Sequence, residues 1–509
     1  MVVVDLYREI RVPVLPNETC LMSSVQQLIS EDYVWAMVPI VLWISTVIYG
    51  TFNAASVFSS LSLRRSFKEL TMERHSQLDV LDVFRVVAII WVIVNHTGSE
   101  GRVDILDRLP SAEKFKESVH NNPIFGALLG NSALGVEIFL VLSGLLCARS
   151  WLRRADQPFM RHYTTFLIRR VLRLIPSVIF FIYIVAGPIT KNFLPRFHST
   201  MISACGATGI AAHLTFLGNW QSTPTCLGYL WYLGLDMQLY IMAPFLLHTL
   251  YKRPVAGKLL CAVLIVLSMI MRAGYCTAYG VCHKSDVDIP FISYPGQDPA
   301  TLASIYAGLW EMYGRPYTKC GPFILGLLLG TATTSMKPSL SRHKSRCIAS
   351  AFFALCIAVI YAILPQYWYG DYLKRYNLYY TATFRTVFAI GICGMIRAFV
   401  LRLESKSTSV VWSILARLTY NTYLLHMPVI YLFNYSQYLQ QADGATELVV
   451  VVPFVALLSF AASAVFYFFV EAPIGYVTSY WVERIDSNLV RFSNNFKITL
   501  RNALSRFAL

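Results

Sequence analysis

From Tyr33 onward the chain returns repeatedly to runs of about 20 apolar residues, the length that crosses the hydrocarbon core of a bilayer. Segments 79–97, 256–273 and 447–470 show this most plainly. A chain with many such runs has few structural options. In lipid a backbone satisfies its own polar groups only as a helix or a closed barrel, and these runs are too long for barrel strands. The expected fold is therefore all-α, a polytopic transmembrane helix bundle. Eleven candidate spans lie near 33–62, 79–97, 124–148, 174–190, 229–250, 256–273, 320–336, 347–367, 377–396, 409–433 and 447–470, with ten to twelve as the range. Only 14% of residues are charged and 56% are hydrophobic, which excludes a disordered chain or an ordinary soluble enzyme.

The formal net charge of +15 would suggest nucleic acid in a soluble protein. Here it marks loops, because cytoplasmic loops carry excess Lys and Arg. No nucleic-acid motif is visible, so no nucleic-acid partner is expected. With the N-terminus lumenal and the C-terminus cytosolic, the cytosolic segments hold roughly twice the Lys and Arg of the lumenal ones. RSWLRRADQPFMRHYTTFLIRRVLR, residues 149–173, supplies much of that bias. The sequons at Asn17 and Asn434 fall on the lumenal side and are candidate glycosylation sites. Of the eleven cysteines, Cys20, Cys205, Cys226, Cys276, Cys282 and Cys320 fall in or beside lumenal segments. They could form three disulfides, the alternative being free thiols.

Four regions follow. Residues 1–32 form a lumenal segment with acids and two prolines, unlike a cleavable signal peptide. Residues 33–77 hold the first span, expected to act as a signal anchor, and a cytosolic linker. Residues 78–475 form one membrane domain, and 476–509 a basic cytosolic tail patterned for the membrane surface. The loops 191–228 and 274–319 are long enough to fold over the bundle as a partial lid. The endoplasmic reticulum is the expected location, ahead of the plasma membrane.

Ionisable groups inside a span are costly and mark a site or a buried pair. In LDVFRVVAIIWVIVNHT, residues 81–97, Arg85 and His96 stand eleven residues apart. That is about three turns, which puts them on one face about 16 Å apart along the axis. Asp82 can pair with Arg85. His96 reads as a general base or as a hydrogen-bonded structural histidine. In GVEIFLVLSGLL, Glu137 could orient His96, bind acceptor hydroxyls or serve as a paired packing residue. Ser143 lacks the turn motif of a nucleophile. Arg169, Arg170 and Arg173 in RRVLRLIP suit phosphates, or anchor the helix at the membrane surface. Asp236 and Gln238 read as substrate-orienting groups or as interhelical hydrogen-bonders, and His426 as a site residue or an interfacial histidine. No metal motif, P-loop or Rossmann signature occurs, so no metal cofactor is expected. The intramembrane pattern alone fits a transporter, a receptor or an intramembrane transferase.

These blocks resemble the acyltransferase-3 family of multispanning membrane proteins over roughly 78–475. LDVFR…NHT is similar to the family's LDGLR…H motif, GVEIFLVLSGLL to GVDxFFVLSGFL with Glu137 in place of Asp, and RRVLRLIP to RRxxRxxP. CLGYLWYLGLDMQLY, YGRPYTKCGPFILGLLLG and RLTYNTYLLHMPVIY look like its animal branch, the nose-resistant-to-fluoxetine-like proteins. Typical members of that branch carry a long Cys-rich lumenal domain before the membrane domain, where this sequence has residues 1–32. The resemblance implies acyl transfer from cytosolic acyl-CoA, as co-substrate, to a hydroxyl or amine on a lipid, carbohydrate or protein. It also implies a regulatory role in some members, such as hypoxia signalling. By resemblance, Arg169, Arg170 and Arg173 would hold CoA phosphates and Arg85 the pyrophosphate or the thioester end. His96 would be the base, oriented by Glu137, and Asp236 and Gln238 would bind the acceptor. A transporter or lipid carrier, or an inactive regulatory membrane protein, are the competing classes.

Overall fold

A computed structural model describes residues 31–53, 55–72, 78–106, 133–203, 205–221, 226–284, 299–403, 409–433, 445–482 and 484, with single positions between 122 and 131. Asn17, Asn434, Cys20 and most of the basic tail lie outside the described residues. Among the described residues the only β feature is one isolated bridge between Leu340 and Arg402.

Fourteen helices define the fold in this description: α1 Glu31–Phe52, α2 Leu63–Thr71, α3 Val80–Leu106, α4 Leu134–Leu152, α5 Phe159–Ala186, α6 Gly206–Leu214, α7 Trp231–Lys252, α8 Pro254–Ala278, α9 Pro299–Gly314, α10 Pro316–Ser335, α11 Arg342–Tyr361, α12 Lys374–Val400, α13 Val410–Phe433 and α14 Ala445–Phe466. Each candidate span overlaps one of the longer helices. Six helical stretches among the described residues are long and apolar enough by themselves to cross a membrane. The protein is thus a polytopic helical membrane protein.

Local sequence explains several boundaries. α8 and α10 open on Pro254 and Pro316, where a missing N–H costs nothing. Ser341 caps α11, its side chain accepting from the Lys344 amide. Two expected boundaries are corrected. The first span, expected over 33–62, ends at Phe52, and the chain turns by 103° into residues 57–71. There α2 carries Arg64, Arg65 and Lys68 on a strongly amphipathic segment, which suits a membrane surface rather than its interior. The fourth span, expected from 174, belongs to a helix that starts at Phe159, so the arginine block lies well inside the helix rather than at its start.

The most extensive helix pairing joins α4 to α10, and glycines make it possible. A Cβ on Gly144 would stand 2.1 Å from the Phe323 carbonyl oxygen, and one on Gly326 would stand 2.2 Å from that of Val141. Small residues of this kind let membrane helices approach closely where no hydrophobic force drives them together. The core divides in two around α4. Leu140, Phe181, Leu235, Phe323 and Met427 belong to one side, and Leu134, Val141, Phe388 and Ile396 to the other. Leu259 and Ile270 on α8 are exposed and face outward, as lipid-facing residues do.

Within the loops 191–228 and 274–319, expected to form a partial lid, the described stretches 205–221 and 299–319 are stitched to each other. Trp310 Nε1 donates to the Gln221 carbonyl (3.0 Å), and Asn219 Nδ2 to that of Gly314 (3.0 Å). Disulfides Cys205–Cys226 and Cys276–Cys282 fasten the same region. Cys320 is a thiol, so the expected third pair is not formed among the described residues.

Candidate active site

α4 carries two buried polar networks, anchored at Glu137 and Ser143. Six residues separate them, about 9 Å along the helix. In the first turn, Glu137 is fully buried, and its Oε1 receives Lys319 Nζ at 2.5 Å and Arg385 Nη1 at 2.6 Å. Lys319 and Arg385 also lie over the Tyr313 ring, at 4.2 and 5.1 Å from its centroid. Glu137 Oε2 accepts no hydrogen bond among the described residues. The carboxylate is thus held by α10 and α12, and it does not orient His96. One carboxylate against two cations leaves the cluster with a net positive charge of one. A narrow recess lined by Arg272, Lys284 and Arg385 reaches this cluster from the side of the 299–319 segment.

One and a half turns further on, Ser143 Oγ donates to Asp236 Oδ1 at 2.5 Å. Arg170 forms an ion pair with the other oxygen of Asp236, and its guanidinium lies over the Tyr240 ring, 4.7 Å from the centroid. Three helices, α4, α5 and α7, therefore meet on one buried carboxylate. Arg170 is engaged inside the protein, whereas Arg173 is exposed and close enough to Glu471 to act on it electrostatically. Gln238, two residues after Asp236, is also engaged. Its amide donates to the Phe216 carbonyl and to Asn219 Oδ1, both at 2.7 Å, and accepts from Trp220 Nε1 at 3.1 Å. That places Gln238 in the tie between α7 and the 205–226 segment.

Arg85 pairs with Asp82 at 2.7 Å, within the first turns of α3. Three turns along the same helix, His96 packs against His426 of α13, with ring centroids 5.0 Å apart. His426 is completely buried. Its Nδ1 lies 2.8 Å from the Tyr423 carbonyl oxygen. A carbonyl only accepts, so Nδ1 carries the proton and Nε2 presents a lone pair. Nε2 is buried and accepts no hydrogen bond among the described residues. Tyr229 fixes this corner: its hydroxyl donates to the Leu424 carbonyl (3.0 Å), Tyr423 donates back to the Tyr229 carbonyl (2.5 Å), and its ring stands edge-on to His426 at 5.5 Å.

The structure thus brings His96 to His426 and Arg170 to Asp236. It leaves Arg85 with its local partner, and it sets Glu137 among cations that sequence reasoning did not group with it. Lys319 was missed as a site residue. Its signal was a lysine immediately before the apolar run CGPFILGLLLG and three residues into a proline-started helix. Among the described residues no three His, Cys, Asp or Glu side chains converge as a metal site.

A polytopic helix bundle with buried carboxylate–cation pairs and a histidine pair between two of its helices is an integral membrane protein with a polar interior. Residues 78–468 match the acyltransferase domain model of the acyltransferase-3 family, and the chain belongs to that family. It is 56% identical over 493 residues to Regulator of hypoxia-inducible factor 1 of Caenorhabditis elegans, covering 95% of this chain and 98% of the relative. It is 24% identical over 435 residues to Nose resistant to fluoxetine protein 6 of the same nematode, covering 77% of this chain and 50% of the relative. Peptidoglycan O-acetyltransferase OatA of Listeria monocytogenes is 24% identical over 318 residues, covering 58% of this chain and 44% of the relative. No solved structure matches.

Proposed function

We propose that the protein is a membrane O-acyltransferase that moves an acyl group from cytosolic acyl-CoA to a hydroxyl or amine acceptor. The observation that carries this reading is the His96–His426 pair, half-buried His96 packed against fully buried His426 where α3 meets α13, with a lone pair on His426 Nε2. An imidazole pair inside the protein, one ring presenting a lone pair, suits general-base catalysis. In the reaction the thioester C–S bond breaks and an ester C–O bond, or with an amine an amide C–N bond, forms. The acceptor proton passes to an imidazole and then to the departing CoA thiolate. His96, whose face of α3 also carries Arg85, takes the proton from the acceptor. Arg169 and Arg173 near the basic end of α5 receive the CoA phosphates. Arg170, fixed by Asp236, shapes the passage beside them. Lys319 and Arg385, with their net positive charge, favour a developing oxyanion or an electron-rich acceptor.

The orientation that goes with this reading puts the N-terminus in the lumen of the endoplasmic reticulum, with Asn17 and Asn434 glycosylated and the disulfide-bonded segments on the oxidising side. The nematode relative covering nearly all of this chain is named as a regulator of hypoxia-inducible factor. The same reaction would then serve regulation, in hypoxia signalling, through an acylated product.

The test is purified protein in nanodiscs with radiolabelled acetyl-CoA and longer acyl-CoAs. Release of CoA with label on an acceptor or on water supports the reading, provided His96→Ala removes it. Uptake of substrate with no covalent product, or full regulatory output from His96→Ala in cells, replaces it with a carrier or an inactive regulator.

A further inference from the structure

A wide cleft lies away from the histidine pair. It holds about 1070 Å³ and opens at the basic end of the bundle, where the C-terminal ends of α4, α7 and α10 meet the start of α8. Its walls are apolar, with Leu152, Leu250 and Leu328 among them. Its rim carries Arg149, Arg153 and Lys258. Arg149 is held there by the Thr333 backbone and hydroxyl oxygens, both at 3.3 Å. None of the three cations has a carboxylate partner among the described residues. Asp156 accepts from the hydroxyl of the lining residue Tyr251 at 3.1 Å.

The cleft is separate from the Arg170–Asp236 network. Cys147 on α4 is close enough to both of those residues to feel their charge. Arg149 follows two residues later, so its side chain leaves the helix about 200° away, on the opposite face. An apolar groove at the end of several spans, with unpaired positive charge at its mouth, matches one ligand chemistry. That chemistry is two apolar chains below a negatively charged headgroup.

We propose that this cleft binds an anionic phospholipid, its acyl chains between α4, α7 and α10 and its phosphate against Arg149, Arg153 and Lys258. The charge complementarity selects the headgroup, and the apolar walls select a lipid over a soluble phosphate.

The test is native mass spectrometry of the full chain in detergent with added phosphatidylserine or phosphatidylcholine, alongside its displacement by inorganic phosphate and by acetyl-CoA. The expected result is preferential retention of phosphatidylserine. In the triple variant Arg149→Gln/Arg153→Gln/Lys258→Gln, that retention falls on the order of a hundredfold. The charge-preserving variant Arg149→Lys/Arg153→Lys/Lys258→Arg keeps it, and Leu328→Trp, which fills the groove but leaves the charges, loses it. Unfolding temperatures in lipid-free detergent check that each variant folds. Equal retention of the two lipids, unchanged retention in the triple variant, or displacement by inorganic phosphate or acetyl-CoA at micromolar concentration overturns the proposal. None of these outcomes bears on acyl transfer at the histidine pair.

Discussion

The imidazoles of His96 and His426 pack 5.0 Å apart between ring centroids, tilted by 59°, although 330 positions of chain separate them. Only the crossing of α3 and α13 brings them together. The pair behaves as one unit if both rings handle the transferred proton. His96→Ala is therefore expected to lower acyl transfer by about 10²–10⁴-fold. His426→Ala should lower it comparably, and the double variant little further than the more damaging single one. Single-turnover transfer of labelled acyl groups measures this. Independent, multiplicative losses would show that the two histidines act apart.

The Glu137 cluster gives a stability ranking that follows from charge count. Replacing Lys319 by Met keeps the Glu137–Arg385 pair, whereas Glu137→Gln removes the carboxylate that Lys319 and Arg385 share. Breaking a buried pair typically costs about 3–5 kcal/mol when it strands a charge. Glu137→Gln should therefore lower the unfolding temperature in detergent much more than Lys319→Met. Adding Lys319→Met to Glu137→Gln should recover part of the loss. A ranking in the opposite order would mean that the cluster is not governed by charge balance.

The helices were legible from sequence because hydropathy is a local property: each apolar run contains the information that it must be helical in lipid. The partners of the buried charges were not legible for the same reason. Arg170 reads as a surface anchor in a basic run, and only Asp236, 66 positions away in sequence, turns it inward. Glu137 and Lys319 are separated by 182 positions, and nothing local in either block announces the other. Asp82 and Arg85, three residues apart on one helix, were recognisable as a pair for the converse reason. Gln238 looked like a substrate group because it neighbours Asp236 in sequence, yet the helix turns its amide toward Asn219 and the Phe216 carbonyl.

The α4–α10 contact is sensitive to a single methyl group. In Gly326→Ala the new carbon would meet the Val141 carbonyl oxygen at 2.2 Å, and backbone, unlike the end of a long side chain, does not swing aside. The helices must separate, which carries both charge networks of α4 away from their partners. A loss of about 1–3 kcal/mol is expected from overpacking alone. Acyl transfer should fall further than stability does, because Ser143 and Glu137 both ride on α4. Gly475→Ala, where nothing lies within 4 Å of the new carbon, is the matched control. Equal effects at the two positions would remove close packing as the cause.

Acid should loosen the disulfide-bonded segment through His213. Burial pushes this imidazole below its ordinary value, outweighing the hydrogen bond from Nε2 to the Cys226 carbonyl (2.6 Å), which favours the charged form. The neutral ring is thus the folded form, and the unfolded segment takes up its proton first, at about pH 6.5. The unfolded state binds more protons in this window, so stability falls as pH drops from about 6.5 down through the folded value. At neutral pH the contribution is fully present. Limited proteolysis of the 206–226 segment in detergent-solubilised protein, between about pH 7.5 and pH 5, should show protection lost on acidification. In His213→Gln, whose amide can still donate to the Cys226 carbonyl, the profile should be flat. Identical acid sensitivity in the two proteins would assign the titration to another group.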